Sequence, residues 1–331
     1  MEETKAARVR EREPLVTVEH LKKYFTIKDN RGNKGTLKAV DDVSFTIYKG
    51  ETFGLVGESG CGKSTLGRSL LNLYPIDGGR IDFAGQDVSK LTSREKKKFC
   101  SKSQLVFQDP SACLNPRNRI GSILAEPFKI HYGRQMSKEE IKQKIDQLLD
   151  VVGLSLEYKS RFPHEMSGGQ KQRIGIARAL ALEPELIVCD EPVSALDVSI
   201  QAQVINLLEE LQAQMNLTYL FISHDLGVVY HMCRRIAVMY LGRIVELADK
   251  DALYSNTLHP YTRALISAAP NISGKENARI LLTGDVPNPS KPPSGCKFHT
   301  RCPDAGENCK NDEPQLGEIE KDHFVACHLY K

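Results

Sequence analysis

The chain has 331 residues, 40% of them hydrophobic and 26% charged, which suggests two or three domains with a full apolar core. Its formal net charge of +3 is too small to indicate a nucleic-acid surface, so we expect no nucleic-acid partner. No apolar run approaches the ~18 residues of a membrane span and the charged start is not a signal peptide, so we expect a cytosolic chain whose nine cysteines are thiols or metal ligands rather than disulfides.

The first part of the chain predicts a small antiparallel sheet. Residues 1–14 are charged for the most part and are expected to be disordered. Residues 15–25 and 37–47 alternate in part between apolar and polar side chains, which predicts two strands, and residues 26–36 contain glycines that predict a loop between them. Residues 76–88 contain three more glycines and predict a further hairpin.

A phosphate-binding loop is predicted at residues 57–65, which read G-E-S-G-C-G-K-S-T and match G-x-x-x-x-G-K-[ST] at every fixed position. Its glycines allow a tight turn that points successive N–H groups at phosphate oxygens. Lys63 would reach the β- and γ-phosphates, and the Ser64 hydroxyl would bind Mg²⁺. The apolar run at 51–56 predicts a strand before the loop, and the helical spacing at 65–73 predicts a helix after it, so the phosphates would lie at a helix N-terminus.

A mostly helical segment, residues 109–183, is expected next. It follows a predicted strand that ends at Gln108. Residues 137–153 form an amphipathic pattern that begins with a capping box, and residues 167–183 predict a second helix that opens at a serine.

Strands and helices then alternate, which predicts a mainly parallel sheet covered on both faces and places the chain in the α/β class. Asp190 and Glu191 follow a buried strand directly, where a carboxylate can hold Mg²⁺ near Ser64 and a second one can polarise the attacking water. The predicted elements are a strand at 186–189, a helix at 200–215, a strand at 218–223 that ends before His224, and a hairpin of residues 236–239 and 243–247.

A short segment, M-S-G-G-Q at residues 166–170, narrows the class further. It opens a helix whose free N–H groups and serine hydroxyl suit an anion, and S-A-L-D at 194–197 and His224 follow it. The ordered set resembles the nucleotide-binding subunit of ATP-binding-cassette (ABC) transporters; Met166 stands where that family usually has leucine. The resemblance implies a phosphate-loop NTPase fold at residues 15–255, with an N-terminal antiparallel β subdomain and a helical signature subdomain.

The resemblance also implies the roles of individual residues. Glu191, His224 and Lys63 would be the catalytic residues, and His224 would contact the γ-phosphate. An aromatic residue of the first strand would stack on adenine, with Phe25 preferred and Tyr24 as the alternative. Mg²⁺ would be held through Ser64, Gln108 and Asp190. ATP would be bound by Phe25, Gly57, Glu58, Ser59, Gly60, Cys61, Gly62, Lys63, Ser64, Thr65, Gln108, Asp190, Glu191 and His224.

Members of this family work as head-to-tail dimers, so a second set of residues would contact the nucleotide held by the partner subunit. Asp197 would link the two sites across the dimer. The residues expected to face the partner's ATP are Ser167, Gly168, Gly169, Gln170 and Asp197.

Three stretches resemble the ATPases of dipeptide and oligopeptide importers: residues 108–117, 191–203 and 259–265. This resemblance implies a subunit on the cytoplasmic side of the cell membrane. Its partners would be a second ABC ATPase subunit, with a heterodimer favoured over a dimer of identical chains, two transmembrane permease subunits and, indirectly, an extracytoplasmic peptide-binding protein. Nickel-importer ATPases share similar motifs and remain an alternative. Two further alternatives are a soluble non-transport ABC ATPase and a non-enzymatic module. The complete catalytic set argues against the non-enzymatic module.

Residues 256–331 form an expected C-terminal extension that is small, irregular and rich in cysteine. Cys296, Cys302, Cys309 and Cys327 are separated by five, six and seventeen residues and predict a [4Fe–4S] cluster, for which four thiolates are the usual ligand set. Some peptide-importer ATPases, which this stretch resembles, have such a cluster. A structural Zn²⁺ site that also uses histidine remains open, although no C-x₂₋₄-C pair is present. The candidate histidines are His299, His323 and His328.

Overall fold

The computed structural model describes residues 13–28, 32–268, 280–282 and 284–330. Most of the predicted disordered start, residues 1–12, lies outside them, as do residues 29–31, 269–279, 283 and 331. In the part of the chain so described, no helix is both long enough and apolar enough to cross a bilayer.

The strands account for most of the predicted β segments and extend several of them by a few residues. In chain order, the described strands are β1 (Pro14–Lys28), β2 (Lys34–Tyr48), β3 (Thr52–Val56), β4 (Gly78–Phe83), β5 (Gln86–Asp87), β6 (Ser103–Val106), β7 (Leu186–Asp190), β8 (Thr218–Ile222), β9 (Arg235–Tyr240), β10 (Arg243–Asp249), β11 (Gly317–Glu320) and β12 (His323–Val325).

The helices are concentrated between β6 and β7 and after β7. In chain order, the described helices are α1 (Lys63–Leu70), α2 (Ser93–Lys102), α3 (Pro110–Cys113), α4 (Ile120–Tyr132), α5 (Lys138–Val151), α6 (Gly168–Leu180), α7 (Val198–Met215), α8 (Leu226–Met232), α9 (Lys250–Ser255), α10 (Pro260–Ala268) and α11 (Asn308–Asn311).

The predicted N-terminal antiparallel sheet is confirmed, with strand order β2-β1-β4-β5. Its alternating side chains bury one face, as shown by Val18 of β1, which lies opposite Phe45 of β2 with both side chains buried. The ring of Phe45 stacks on Phe53 of β3 at 5.1 Å between centroids. This contact packs the small sheet against the strand that leads into the phosphate loop.

The larger sheet has the order β11-β12-β10-β9-β3-β8-β7-β6. Strands β6, β7, β8, β3 and β9 are parallel, as predicted. Strands β3, β7 and β8 are buried at every residue because α1 and the small antiparallel sheet cover one face and helices that include α7 and α8 cover the other. Parallel strands have their carboxyl ends at one edge. The segments that follow β3, β7 and β8 therefore meet there, and these are the phosphate loop, the acidic pair and His224.

The predicted helical segment is confirmed between β6 and β7 by α3, α4, α5 and α6. The capping box at the start of α5 is present: Ser137 Oγ accepts from the Glu140 N–H at 3.2 Å, and the Glu140 carboxylate accepts from the Ser137 N–H at 2.6 Å. The apolar faces of these helices share one core, which includes Phe128 of α4, Leu149 of α5 and Ile174 of α6.

The C-terminal extension is more regular than its sequence indicates. Strands β11 and β12 form a hairpin, and β12 pairs antiparallel with β10, so that Glu246 lies opposite Val325 and Leu247 opposite Phe324. The sequence pattern missed the hairpin because the two strands have only four and three residues, and three of the four side chains of β11 are exposed. The extension therefore continues the main sheet.

Glu246 of β10 joins three parts of the chain in the interior. Its carboxylate is fully buried and accepts hydrogen bonds from the N–H groups of Leu258 (2.8 Å) and His259 (3.0 Å), and it pairs with His323 Nε2 at 2.8 Å. Burial lowers the pKa of His259 to about 4, and its Nδ1 accepts from the Tyr261 N–H. One carboxylate thus connects β10, the start of α10 and the hairpin.

Candidate nucleotide-binding site

The phosphate loop requires glycine at two positions for steric reasons. Gly57 has φ +152° and Gly62 has φ +111°. A Cβ atom on Gly57 would lie 2.2 Å from the Met239 carbonyl oxygen, and one on Gly62 would lie 2.0 Å from the Ala39 carbonyl oxygen. Any side chain would therefore displace backbone, which explains why the pattern needs glycine there.

Lys63 is the first residue of α1 and lies under the loop. Its side chain is buried, and its ammonium donates to the carbonyl oxygens of Gly57 at 2.7 Å and Glu58 at 3.0 Å. The charge is therefore held at the N-terminus of a helix, beside the turn of the loop, where phosphate oxygens are favoured.

The pair formed by Ser64 and Asp190 fits a magnesium ion. Ser64 Oγ donates to Asp190 Oδ1 at 2.7 Å, and Asp190, at the end of β7, is almost completely buried. A hydroxyl and a carboxylate are the oxygen ligands that Mg²⁺ prefers beside substrate phosphates. Gln108 lies at the same edge, and its Nε2 donates to Glu191 at 2.9 Å, so its oxygen is the atom able to face the metal.

Glu191 occupies the centre of the arrangement. Its backbone has φ +48°, an unusual conformation for a residue with a side chain, and its N–H donates to the Ile222 carbonyl at 3.0 Å. Its Oε2 accepts from Gln108 and lies 3.4 Å from His224 Nδ1. The backbone after β7 thus turns the carboxylate between an amide and an imidazole.

A cavity of 370 Å³ lies over the phosphate loop. Phe25 lines it, whereas the Tyr24 hydroxyl donates to Asp41 Oδ1 at 2.5 Å and is not part of its wall. Pro289 of the extension also lines the cavity. Sequence reasoning missed Pro289 because nothing in a loop pattern shows which distant cavity it reaches.

The residues expected to face a partner's nucleotide lie away from this cavity. Ser167 caps α6 through a capping box with Gln170, and Ser167, Gly168 and Asp197 are exposed. Gln170 Nε2 also donates to the Tyr158 hydroxyl at 2.7 Å. The structure therefore presents the start of α6 outward, as a surface that a second chain can reach.

The four C-terminal cysteines are free and partly buried. Burial raises the pKa of Cys296 and Cys327, and it raises the pKa of Cys302 to about 11, with smaller contributions from neighbouring thiols of the same set. Within the described ranges, however, no group of three or more Cys, His, Asp or Glu side chains is arranged to hold a metal ion. As placed, the thiols do not form the predicted cluster site.

The histidines of the zinc alternative have other partners. His323 is buried against Glu246, His299 Nδ1 lies 2.9 Å from the Cys296 carbonyl oxygen, and His328 Nε2 lies 2.9 Å from the Asp312 carbonyl oxygen. The structure therefore does not support a mixed Cys/His zinc site either.

Comparisons with known proteins agree with the geometry. The family model described as ABC transporter matches residues 40–194, and the one described as oligopeptide/dipeptide transporter, C-terminal region, matches residues 245–309. The oligopeptide transport ATP-binding protein AppF of Bacillus subtilis (strain 168) is 54% identical over 325 residues, which cover 96% of this chain and 98% of AppF. The oligopeptide transport ATP-binding protein OppF of Escherichia coli (strain K12) is 50% identical and covers 96% of each chain.

A solved structure shares the fold. The dimeric post-hydrolysis state of the ATP-binding cassette MJ0796, bound to ADP and Pi, superposes with a TM-score of 0.63 and 26% identity, covering 71% of this chain and 98% of that one. Phosphate loop, acidic strand end and near-full-length relatives all lead to one assignment. The chain belongs to the ABC-transporter ATP-binding proteins of the oligopeptide/dipeptide transporter family.

Proposed function

We propose that this chain is an ATPase subunit of a peptide importer and that it hydrolyses ATP at a head-to-tail dimer interface. The observation that carries the proposal is Glu191, which is turned between Gln108 and His224 beside the Ser64–Asp190 pair. The peptide cargo is supported by two relatives that are named oligopeptide transport ATP-binding proteins. This chain matches them over almost their whole length. A nickel importer is the second candidate for cargo, and no observation in the structure favours it.

In this proposal catalysis is mostly positioning and charge stabilisation. Lys63 and the loop N–H groups bind the β- and γ-phosphates. Ser64, Asp190 and Gln108 hold Mg²⁺, which when bound neutralises charge on the phosphate oxygens. Glu191 accepts the hydrogen bond of the attacking water, and His224, whose side chain is about half exposed (55%), turns toward the γ-phosphate.

The exposed start of α6 completes the site of a second chain. Gly168 and Gly169 present N–H groups and Ser167 a hydroxyl at a helix N-terminus, the arrangement that binds phosphate oxygens, and Gln170 completes the capping box beside them. Asp197 lies at the start of α7 and is exposed. The second chain is a related ATPase subunit or another copy of this one.

We expect Ser167→Ala to leave the ATP affinity of the isolated chain within about twofold and to lower ATP turnover by the dimer about tenfold, because a charge-assisted hydrogen bond is lost only in the dimer. Nucleotide titration of the monomer and a steady-state ATPase assay measure the two quantities. Ser137→Ala is the matched control, because it removes the same kind of capping box from α5 and touches no proposed nucleotide. Equal turnover in both variants, or a large loss of monomer affinity in Ser167→Ala, would contradict the role.

An apolar groove lies beside the segment that contains Gln108, between β6 and α3, and it suits a short permease helix. It has a volume of 470 Å³ and is lined by Phe107, Pro127 and Ile130, with Ile130 61% exposed. In this proposal the chain lies on the cytoplasmic face of the membrane and passes dimer closure to two permease subunits, to which an extracytoplasmic peptide-binding protein delivers peptide.

Co-purification from detergent-solubilised membranes of cells that also express candidate permease subunits tests this function. The chain should bring down permease subunits, and the complex in vesicles should take up peptide only with ATP. Ile130→Asp should abolish the association, whereas Val151→Asp, on an exposed part of the same helical segment, should not. A complex that takes up nickel ions and not peptide would overturn the proposed cargo, and a chain that never associates with a permease would overturn transport.

We also propose that the four thiols of the extension bind a [4Fe–4S] cluster, with Zn²⁺ as the alternative, and that binding brings them closer together than the structure places them. The support is chemical: four free thiols lie within 32 residues of sequence, and neighbouring thiols of the set contribute to the raised pKa values of Cys296, Cys302 and Cys327. Protein purified without oxygen should hold about four irons and four sulfides per chain. Cys309→Ser should lose the iron, whereas Cys100→Ser, an exposed cysteine outside the extension, should keep it. About one zinc per chain without iron would end the cluster proposal.

A further inference from the structure

The extension reaches back to the phosphate loop through a buried arginine. Arg301 Nη1 and Nη2 donate to the two carboxylate oxygens of Glu58 at 2.8 and 3.1 Å. Only 7% of the Arg301 side chain is exposed, compared with 25% of the Glu58 side chain. A bidentate pair of this kind is geometrically specific, so the contact fixes both partners.

A second contact from the extension acts on the same residue. The Glu58 N–H donates to the hydroxyl of Tyr261, on α10, at 2.9 Å. Tyr261 is fully buried and packs against Tyr240 and Phe298, with ring centroids 4.7 and 5.4 Å away. The hydroxyl therefore comes from a rigid aromatic cluster rather than from a mobile loop.

Glu58 thus contacts both the extension and Lys63, the residue proposed to bind phosphate. Its carboxylate pairs with Arg301, its N–H bonds Tyr261, and its carbonyl oxygen accepts from the Lys63 ammonium at 3.0 Å. The extension also supplies Pro289 to the wall of the cavity over the loop. The contact between Arg301 and Glu58 is direct in space, although the two residues are 243 positions apart in the sequence.

The charge on Glu58 explains why such a contact matters. A carboxylate within a phosphate-binding loop repels the polyanionic nucleotide, and this repulsion is strong where solvent is partly excluded. The guanidinium of Arg301 offsets that charge from the side of the extension. Without Arg301, the carboxylate would be left partly buried and unpaired beside the phosphates.

We propose that Arg301 is a positioning residue of the nucleotide site: it neutralises Glu58 and, with Tyr261, holds the phosphate loop in its binding conformation. The C-terminal extension is therefore a working part of the ATP site of its own chain. The proposal rests on the nucleotide site proposed above and deepens it.

The test is a double-mutant cycle on the full chain, with the Kd for ATP measured on isolated protein and KM and kcat measured by ATPase assay. Arg301→Gln should raise Kd and KM about tenfold, the size expected for a lost charged hydrogen bond, with a smaller change in kcat. Combining it with Glu58→Gln should recover most of that loss, because the unpaired charge is removed as well. Arg301→Lys should give a smaller rise, since it keeps the charge without the bidentate geometry.

Glu313→Gln is the matched control. Glu313 pairs with Arg243 and so joins the extension to the cassette without contacting Glu58. The Kd of the Glu313→Gln variant for ATP should stay at the wild-type value. Equal Kd values in Arg301→Gln and Glu313→Gln, or a double variant weaker than Arg301→Gln alone, would overturn the inference. Lys63→Ala tests the proposed nucleotide site separately from the role of Arg301. If this variant binds nucleotide as the unaltered chain does, the proposed site itself is wrong.

Discussion

Glu191→Gln is expected to bind ATP with nearly wild-type affinity and to hydrolyse it at least about 10²-fold more slowly, the size of effect typical of a lost general base. The amide keeps the shape of the side chain and its contacts with Gln108 and His224, but it cannot accept the proton of the attacking water. In the proposed dimer, ATP binding closes the interface and hydrolysis reopens it, so the variant should accumulate as an ATP-bound dimer. Steady-state hydrolysis and size-exclusion chromatography with MgATP measure the two effects.

Glu185→Gln provides the control for this experiment. Glu185 lies just before β7, at the end of the strand opposite to Glu191, and its partly exposed side chain contacts Lys102 at 3.4 Å. Its hydrolysis rate should match that of the unaltered chain. Hydrolysis by Glu191→Gln at the wild-type rate would show that this carboxylate is not the catalytic one.

Glu246→Ala is expected to lower the free energy of unfolding by about 3–5 kcal/mol, because it leaves three buried donors without an acceptor. These donors are the N–H groups of Leu258 and His259 and the Nε2 of His323. Glu246→Gln should lose less, because it keeps one acceptor oxygen. Chemical denaturation measures the loss, and amide hydrogen exchange at Leu258 and His259 should show where it occurs.

An exposed contact between the residues just after β10 and the hairpin serves as the comparison for Glu246. Asn256 Nδ2 donates to the exposed Glu320 carboxylate at 3.1 Å, which joins the end of α9 to β11. Glu320→Ala should cost no more than about 0.5 kcal/mol, because water replaces the lost partner. If both variants cost the same, the buried carboxylate would not be the junction that the geometry indicates.

The sequence predicted those parts of the site that are encoded by neighbours in the chain. The phosphate loop, the acidic pair after β7 and the capped start of α6 all depend on local spacing, and the structure places each at the expected end of its element. The parallel order of the strands then brings the first two together without further information.

The remaining features depend on contacts between distant residues, which local patterns do not contain. Arg301 looks like any charged residue near cysteines until folding places it on Glu58, and Glu246 looks like a polar residue of an alternating strand until its three donors surround it. The choice of Phe25 over Tyr24 as a wall of the cavity likewise depends on which neighbour in the strand turns toward the loop.

The pairing of β12 with β10 has a consequence for how the chain is made. Strand β10 is translated long before the hairpin, and until the hairpin arrives one side of β10 has unpaired N–H and C=O groups that other chains can join. A protein cut after α9 would retain that open edge and would be prone to aggregate. The finished sheet ends instead at β11, a four-residue strand with Glu318 and Glu320 exposed, and short acidic edges resist such pairing.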